Sequence, residues 1–266
     1  MATTIREPGE TPRIDVRDLA SAYGARVILQ DITFSVDRGS IFVVMGGSGS
    51  GKSTLLRNMI GLKEPTKGSV HYSGQDFTRA GRHERSRMLR RFGVLYQKGA
   101  LWSSMTLQEN IGVVLGEYTD LSRAEIEEVA AFKLALVGLA GFGGFHPSEI
   151  SGGMQKRAAL ARAMALDPDI LFLDEPSAGL DPISSRRLDE LILELRDSLG
   201  TTVVVVTHEL ASIFAIGDDS VFLDSATHTV IARGNPRHLL EHSSEPVVQN
   251  FLSRGTRPEP SKRERA

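Results

Sequence analysis

Hydrophobic residues recur along the chain in two rhythms. The first is short and continuous: Ile41-Phe-Val-Val-Met45, Ile170-Leu-Phe-Leu173 and Thr202-Val-Val-Val-Val-Thr207. Such unbroken, largely β-branched apolarity fits parallel strands buried on both faces. The second rhythm has helical spacing: Leu188, Leu191, Ile192, Leu195 and Leu199 form one stripe, which Gly200 terminates. Strand, helix and strand in this order predict an α/β fold with a mainly parallel sheet. Glycines and then a helix over residues 53–62 follow the first run. Residues 13–45 and 69–72 read as antiparallel strands.

Residues 98–165 have another texture. Ser122-Arg-Ala-Glu125 has the form of a capping box and precedes a helical run over 126–136. A second helix opens at Ser151-Gly-Gly-Met-Gln155. With no β-branched run between them, 98–165 is expected to be a helical lobe inserted into a core made of 13–97 and 166–242. Residues 1–12 read as a loose tail, and 243–266 as a C-terminal extension ending in a polar tail over 254–266.

Composition narrows the function. A net charge of −2 gives no bulk case for nucleic-acid binding. The absence of cysteine excludes disulfides and thiolate metal sites and fits a reducing compartment. No signal peptide is visible at the start, and the apolar runs are far short of the roughly 20 residues that cross a bilayer. Any work on a membrane would need a membrane-embedded partner.

The chemistry begins at Gly46-Gly-Ser-Gly-Ser-Gly-Lys-Ser53, which matches G-x-x-x-x-G-K-[ST] between a predicted strand and a predicted helix. Glycines let the amides of Gly46, Gly47, Ser48, Gly49, Ser50, Gly51 and the flanking Thr54 turn in on phosphates. Lys52 would reach the terminal phosphates, and Ser53 would offer its hydroxyl to Mg²⁺. A nucleotide with Mg²⁺ is therefore the expected ligand. Asp174, at the end of an apolar strand, is placed for the Mg²⁺ side of the site, and Glu175 for polarising water. An Asp-Glu pair merely solvating a turn is the plainer alternative. A second cradle stands at Ser151-Gly-Gly, where the N-terminus of a helix presents amides and a positive dipole end.

The order of Gly46–Ser53, Gln97, Ser151-Gly-Gly-Met-Gln155, Asp174-Glu175, Gly179-Leu-Asp181 and His208 resembles that of the ATP-binding cassette (ABC) ATPases over residues 13–242. The resemblance implies a P-loop NTPase, RecA-like core with an antiparallel β subdomain and a helical lobe. It also implies head-to-tail pairing of two copies, with ATP between the phosphate loop of one and Ser151, Gly152, Gly153, Met154 and Gln155 of the other. Ser151 would then supply a hydroxyl to the γ-phosphate. Tyr23 would stack on adenine (a core tyrosine being the alternative), Gln97 would touch Mg²⁺ and sense a transport partner, and His208 would reach the γ-phosphate. Asp181 would shape the dimer interface. Gly47 stands where proline is common in the loop, a change the backbone should tolerate.

One cassette, no fused membrane segment and no heptad run suggest an ATPase subunit working with separate permease chains. Lys98-Gly-Ala-Leu-Trp102, Met154 and Glu245-Pro-Val-Val-Gln-Asn-Phe251 make it similar to ATPases of Mla- and Mce-type lipid transport systems. That implies a peripheral protein on the cytoplasmic face of the inner membrane, with an Mce-type lipid-binding protein and a small regulatory subunit near 243–253 as further partners. A small-solute importer ATPase and a non-transport ABC protein are the alternatives. Leu101-Trp102 reads either as lobe core or as the wall of a permease groove beside Gln97. The arginines at 79, 82, 85, 87, 90 and 91 read as a solvated face or as a contact for anionic headgroups.

Overall fold

The structure, a computed structural model, describes residues 11–254. The expected tails at 1–10 and 255–266 lie outside the described residues. β1 (Ile14–Tyr23) and β2 (Arg26–Val36) form an antiparallel hairpin. β3 (Ile41–Gly46) leaves that hairpin for a second sheet, where both of its neighbours run parallel to it. The antiparallel expectation for 13–45 is corrected there. Every residue of β3 is buried, so it belongs in a two-sided sheet and not on a half-exposed ribbon.

After the phosphate loop, α1 (Lys52–Met59) ends earlier than its apolar pattern suggests. Gly61 adopts φ 76°, its N–H donates to the Asn58 carbonyl and the Leu62 N–H to that of Arg57. This is a Schellman stop, and Leu62 beyond it faces solvent. β4 (Lys67–Tyr72) and β5 (Gln75–Asp76) complete a four-stranded antiparallel sheet in the order β2-β1-β4-β5. α2 (Arg82–Leu89) carries Arg82, Arg85 and Arg87 of the arginine run, with Met88 as its one buried residue. Arg85 nevertheless lies over the Phe77 ring at 4.8 Å, and Arg91 pairs with Asp169.

β6 (Phe92–Leu95) leads into the lobe: α3 (Leu107–Tyr118), α4 (Arg123–Leu136), a short turn of 3₁₀ helix at Pro147–Glu149, and α5 (Gly152–Ala163). Both reciprocal bonds of the Ser122–Glu125 capping box form, and the Thr106–Glu109 pair builds another. The chain returns through β7 (Ile170–Asp174), α6 (Pro182–Leu199) and β8 (Thr202–Val206). α6 buries Leu188, Leu191, Ile192 and Leu195, but Leu199 is exposed beside its αL cap Gly200. α7 (Leu210–Ile216), β9 (Asp219–Leu223), β10 (Val230–Arg233), α8 (Pro236–His242) and α9 (Pro246–Ser253) follow. The larger sheet runs β10-β9-β3-β8-β7-β6, parallel except for the β10 edge.

Alternation along the strands divides the interior. Leu171, Leu173, Val203 and Val205 face the lobe, while Ile170, Phe172, Val204 and Val206 face α1 and the antiparallel sheet. A third cluster joins Val43, Met45, Ile213 and Phe222 to Val248 and Leu252 of α9. Residues 246–253 are thus packed into the body of the protein and do not trail from it: Val248 and Leu252 are fully buried.

Candidate nucleotide site

The phosphate loop begins where β3 runs into a backbone that only glycine fits. Gly46 has φ 152° and Gly51 φ 95°, and a Cβ would lie 2.4 Å from the Leu223 carbonyl oxygen at the first and 2.7 Å from Leu29 Cδ2 at the second. At Gly47 a Cβ would meet nothing within 4 Å, so the loop does not require a particular residue there. Lys52 Nζ donates to the carbonyls of Gly46 and Gly47, both at 2.9 Å, which closes the loop on itself. No side chain caps the N-terminus of α1, leaving its leading amides for an anion. Burial lowers the Lys52 pKa, against the pull of Glu175 and Asp174.

Residues 46–54, Gln97, Glu175 and His208 line one cleft of ≈690 Å³. Glu175 follows β7 with φ 48°, a left-handed conformation rare outside glycine. Its N–H donates to the Val206 carbonyl at 2.8 Å, tying it to the end of β8. Its Oε1 lies 2.6 Å from His208 Nδ1, and its Oε2 accepts from the Thr207 hydroxyl at 3.2 Å. The carboxylate is therefore oriented by two consecutive residues of the neighbouring strand end.

Asp174 is half-buried, and its Oδ1 has no hydrogen-bond partner. Its pKa is raised, first by burial and then by the adjacent Glu175. A buried acidic oxygen without a donor fits a cation, and Ser53 and Gln97, which line the cleft, could offer it further oxygens.

Tyr23 stands at the end of β1. Its ring is 47% exposed, so it is not a core residue, and it is not among the residues lining the cleft. Lys63 Nζ sits 4.4 Å from the ring centroid, and the phenol accepts from Arg57 at 3.3 Å. Arg26 and Ile28, on the next strand of the hairpin, line the cleft instead.

The second cradle lies outside this cleft. Ser151 Oγ accepts from the Met154 N–H at 3.3 Å as the N-cap of α5, which leaves its O–H free to donate to an anion at the helix end. A Cβ on Gly153 would lie 3.2 Å from Ser184 Oγ, a packing reason for glycine that adds to any ligand reason. Gln155 Nε2 donates to the carbonyls of Pro147 and Ile150 and anchors the preceding turn. Asp181 caps α6 by accepting from the N–H groups of Ile183 and Ser184, both at 3.0 Å, and its bonding to Ser184 lowers its pKa.

Trp102 is 46% exposed, which decides against a core role, whereas Leu101 packs on the lobe core. Arg162 stacks over the indole at 5.0 Å, and Asn110 holds both the N–H and the carbonyl of Trp102. The lobe also carries a groove of ≈620 Å³ lined by Met105, Gln108, Val113 and Ile126, among others.

Sequence reasoning missed Phe251 and Arg254, which bring α9 to the wall of the nucleotide cleft. The signal was available in the helical spacing of Val248, Phe251 and Leu252. It also missed Lys156, whose buried ammonium donates to the Gln97 carbonyl and, at 3.4 Å, to that of Glu175.

A family model described as ABC transporter matches residues 29–178. The probable ribonucleotide transport ATP-binding protein mkl of Mycobacterium tuberculosis (strain ATCC 25618 / H37Rv) is 40% identical over 240 residues, covering 90% of this chain and 66% of the relative. The chain thus spans about two thirds of the mycobacterial relative's length. The intermembrane phospholipid transport system ATP-binding protein MlaF of Haemophilus influenzae is 39% identical, with 89% of each chain covered. Among solved structures, the dimeric post-hydrolysis state of the ATP-binding cassette MJ0796 bound to ADP and Pi superposes with a TM-score of 0.75 at 28% identity, over 84% of this chain and 98% of that one.

Proposed function

The chain belongs to the ABC transporter family, and from that premise we propose that it is the ATP-hydrolysing subunit of a system that moves phospholipid through separate membrane permease chains. One observation carries the hydrolytic part: Glu175 is held by His208 and Thr207 and faces the phosphate loop across a single cleft. A carboxylate fixed there accepts a proton from an attacking water. Lys52 exchanges its two loop carbonyls for phosphate oxygens, and His208 donates toward the γ-phosphate. Ser53, Gln97 and Asp174 would hold Mg²⁺, which when bound neutralises phosphate charge.

The phospholipid assignment is supported by the MlaF relative, whose similarity spans 89% of both chains. Two copies pair head to tail, each lending residues 151–155 to the other's ATP, in keeping with the dimeric MJ0796 cassette. Among the described residues no helix is long and apolar enough to cross a membrane, so permease chains would supply the spanning part. We place the protein at the cytoplasmic face of that membrane, with the exposed Trp102 and the lobe groove towards the permease. An Mce-type lipid-binding protein and a small regulatory subunit complete the proposed assembly.

The ribonucleotide transport named for the mycobacterial relative supports a second reading, a small polar solute as cargo. Purifying the intact membrane complex with Glu175→Gln tests both. Arrested turnover with ATP retained, a permease in the complex and bound phospholipid on mass spectrometry are expected. Normal turnover removes Glu175 as the base, and a complex that retains nucleotide cargo and no lipid favours the second reading.

A further inference from the structure

Lys156 has an unusual position for a lysine. It lies on α5, five residues after the Ser151 cap and therefore about 7.5 Å along the helix axis. Its side chain is buried, with 7% of the residue exposed. Among the described residues it forms no ion pair. It donates instead to two backbone carbonyls, those of Gln97 and Glu175. Burial lowers its pKa, against the pull of the Asp174 and Glu175 carboxylates, so keeping the charge there has a cost that a hydrophobic residue would avoid.

What the ammonium holds gives it a purpose. Gln97 follows β6 on an exposed segment, and Glu175 has the left-handed backbone of φ 48° described above. Both side chains line the nucleotide cleft. A cation with three donors on a stiff helix can fix both carbonyls at once. Any shift of α5 along or about its axis is then passed directly to the two side chains.

We propose that Lys156 is the positioning residue through which α5 sets Gln97 and Glu175, so that a second copy's nucleotide at the Ser151 end of the helix is felt at this chain's own hydrolytic site. This rests on the head-to-tail pairing proposed above. One helix thus connects the two half-sites of a subunit.

The test uses the full chain with Lys156→Met, Lys156→Gln and Lys156→Arg. Steady-state ATP hydrolysis is measured against ATP concentration, and affinity with a fluorescent ATP analogue. Misplacing the base and the glutamine is expected to lower kcat of the Met and Gln variants about ten- to a hundredfold, while affinity stays within about twofold. The Hill coefficient should fall towards one, and Lys156→Arg should recover most of kcat. Activity of the Met or Gln variant within about twofold of the parent overturns the proposal, as does an affinity loss equal to the loss in kcat. If Lys156→Met does not fold, the contrast between Gln and Arg decides. Light scattering of Glu175→Gln with ATP separates the premise: a species that stays single removes the pairing, and with it the link to the second copy's nucleotide.

Discussion

Replacing Asp189 by asparagine should make the protein more stable at pH 8 and somewhat less stable near pH 4. Asp189 is buried where α6 meets α7, its Oδ2 accepts from the Ser212 hydroxyl at 2.8 Å, and its Oδ1 has no partner. Ser212 in turn lies 3.5 Å from Ser177, and the charged groups bearing on the site are Glu209 and Glu190. Burial, followed by those two carboxylates, pushes the pKa from 3.8 up to about 6, against the Ser212 bond. The folded protein therefore keeps a proton that the unfolded chain releases, and stability falls as pH rises between about 4 and 6. Above that window the full cost of the buried charge remains, ~3 kcal/mol at about 1.4 kcal/mol per pH unit. An asparagine carbonyl can still accept from Ser212, but its amide at the position of Oδ1 lacks an acceptor, a cost of ~1–2 kcal/mol. The net gain at pH 8 is then ~1–2 kcal/mol, or roughly 2–8 °C in Tm. Urea unfolding of both proteins at pH 5 and pH 8, followed by circular dichroism, measures the difference. A gap of the same size at both pH values would refute the reasoning, because it would show that Asp189 does not titrate between them.

Two further outcomes follow from the packing. Leu252→Ala removes a fully buried side chain of α9 and should cost ~2–5 kcal/mol in chemical denaturation; a loss under ~1 kcal/mol would mean that α9 is not docked in solution. Trp102→Ala gives up a cation–π contact with Arg162 worth ~0.5–1 kcal/mol, so stability should barely move while recovery with the permease in pull-downs drops. Unchanged recovery would refute the assignment of Trp102 to the permease face.

The residues that were legible in advance are those whose backbone must carry a function by itself. The strand, the glycines at 46 and 51 and Lys52 are dictated by the loop's geometry, and a sequence displays such demands directly. The hidden parts depend on which surface a side chain meets after folding. Ser151 reads in sequence as a helix cap or as a phosphate ligand, and only the folded chain shows the Met154 N–H on its Oγ. Nothing in the sequence around Tyr23 says that Arg57 and Lys63 will gather at its ring. Lys156 resembled any lysine on a helix, because nothing local says that carbonyls 59 and 19 residues away will converge on it. The alternation of strand residues likewise predicted buried faces but not which cluster each face would join.

The docking of α9 changes how the end of the chain should be handled. Val248 and Leu252 share a cluster with Val43 and Met45, the strand residues directly beneath the phosphate loop. Phe251 stacks edge-on against Phe222 and reaches the cleft with Arg254. A fragment cut after residue 242 would keep every recognisable ATP motif and lose the floor under them. Domain boundaries drawn from motifs alone would therefore yield a protein that looks complete in sequence and binds nucleotide poorly.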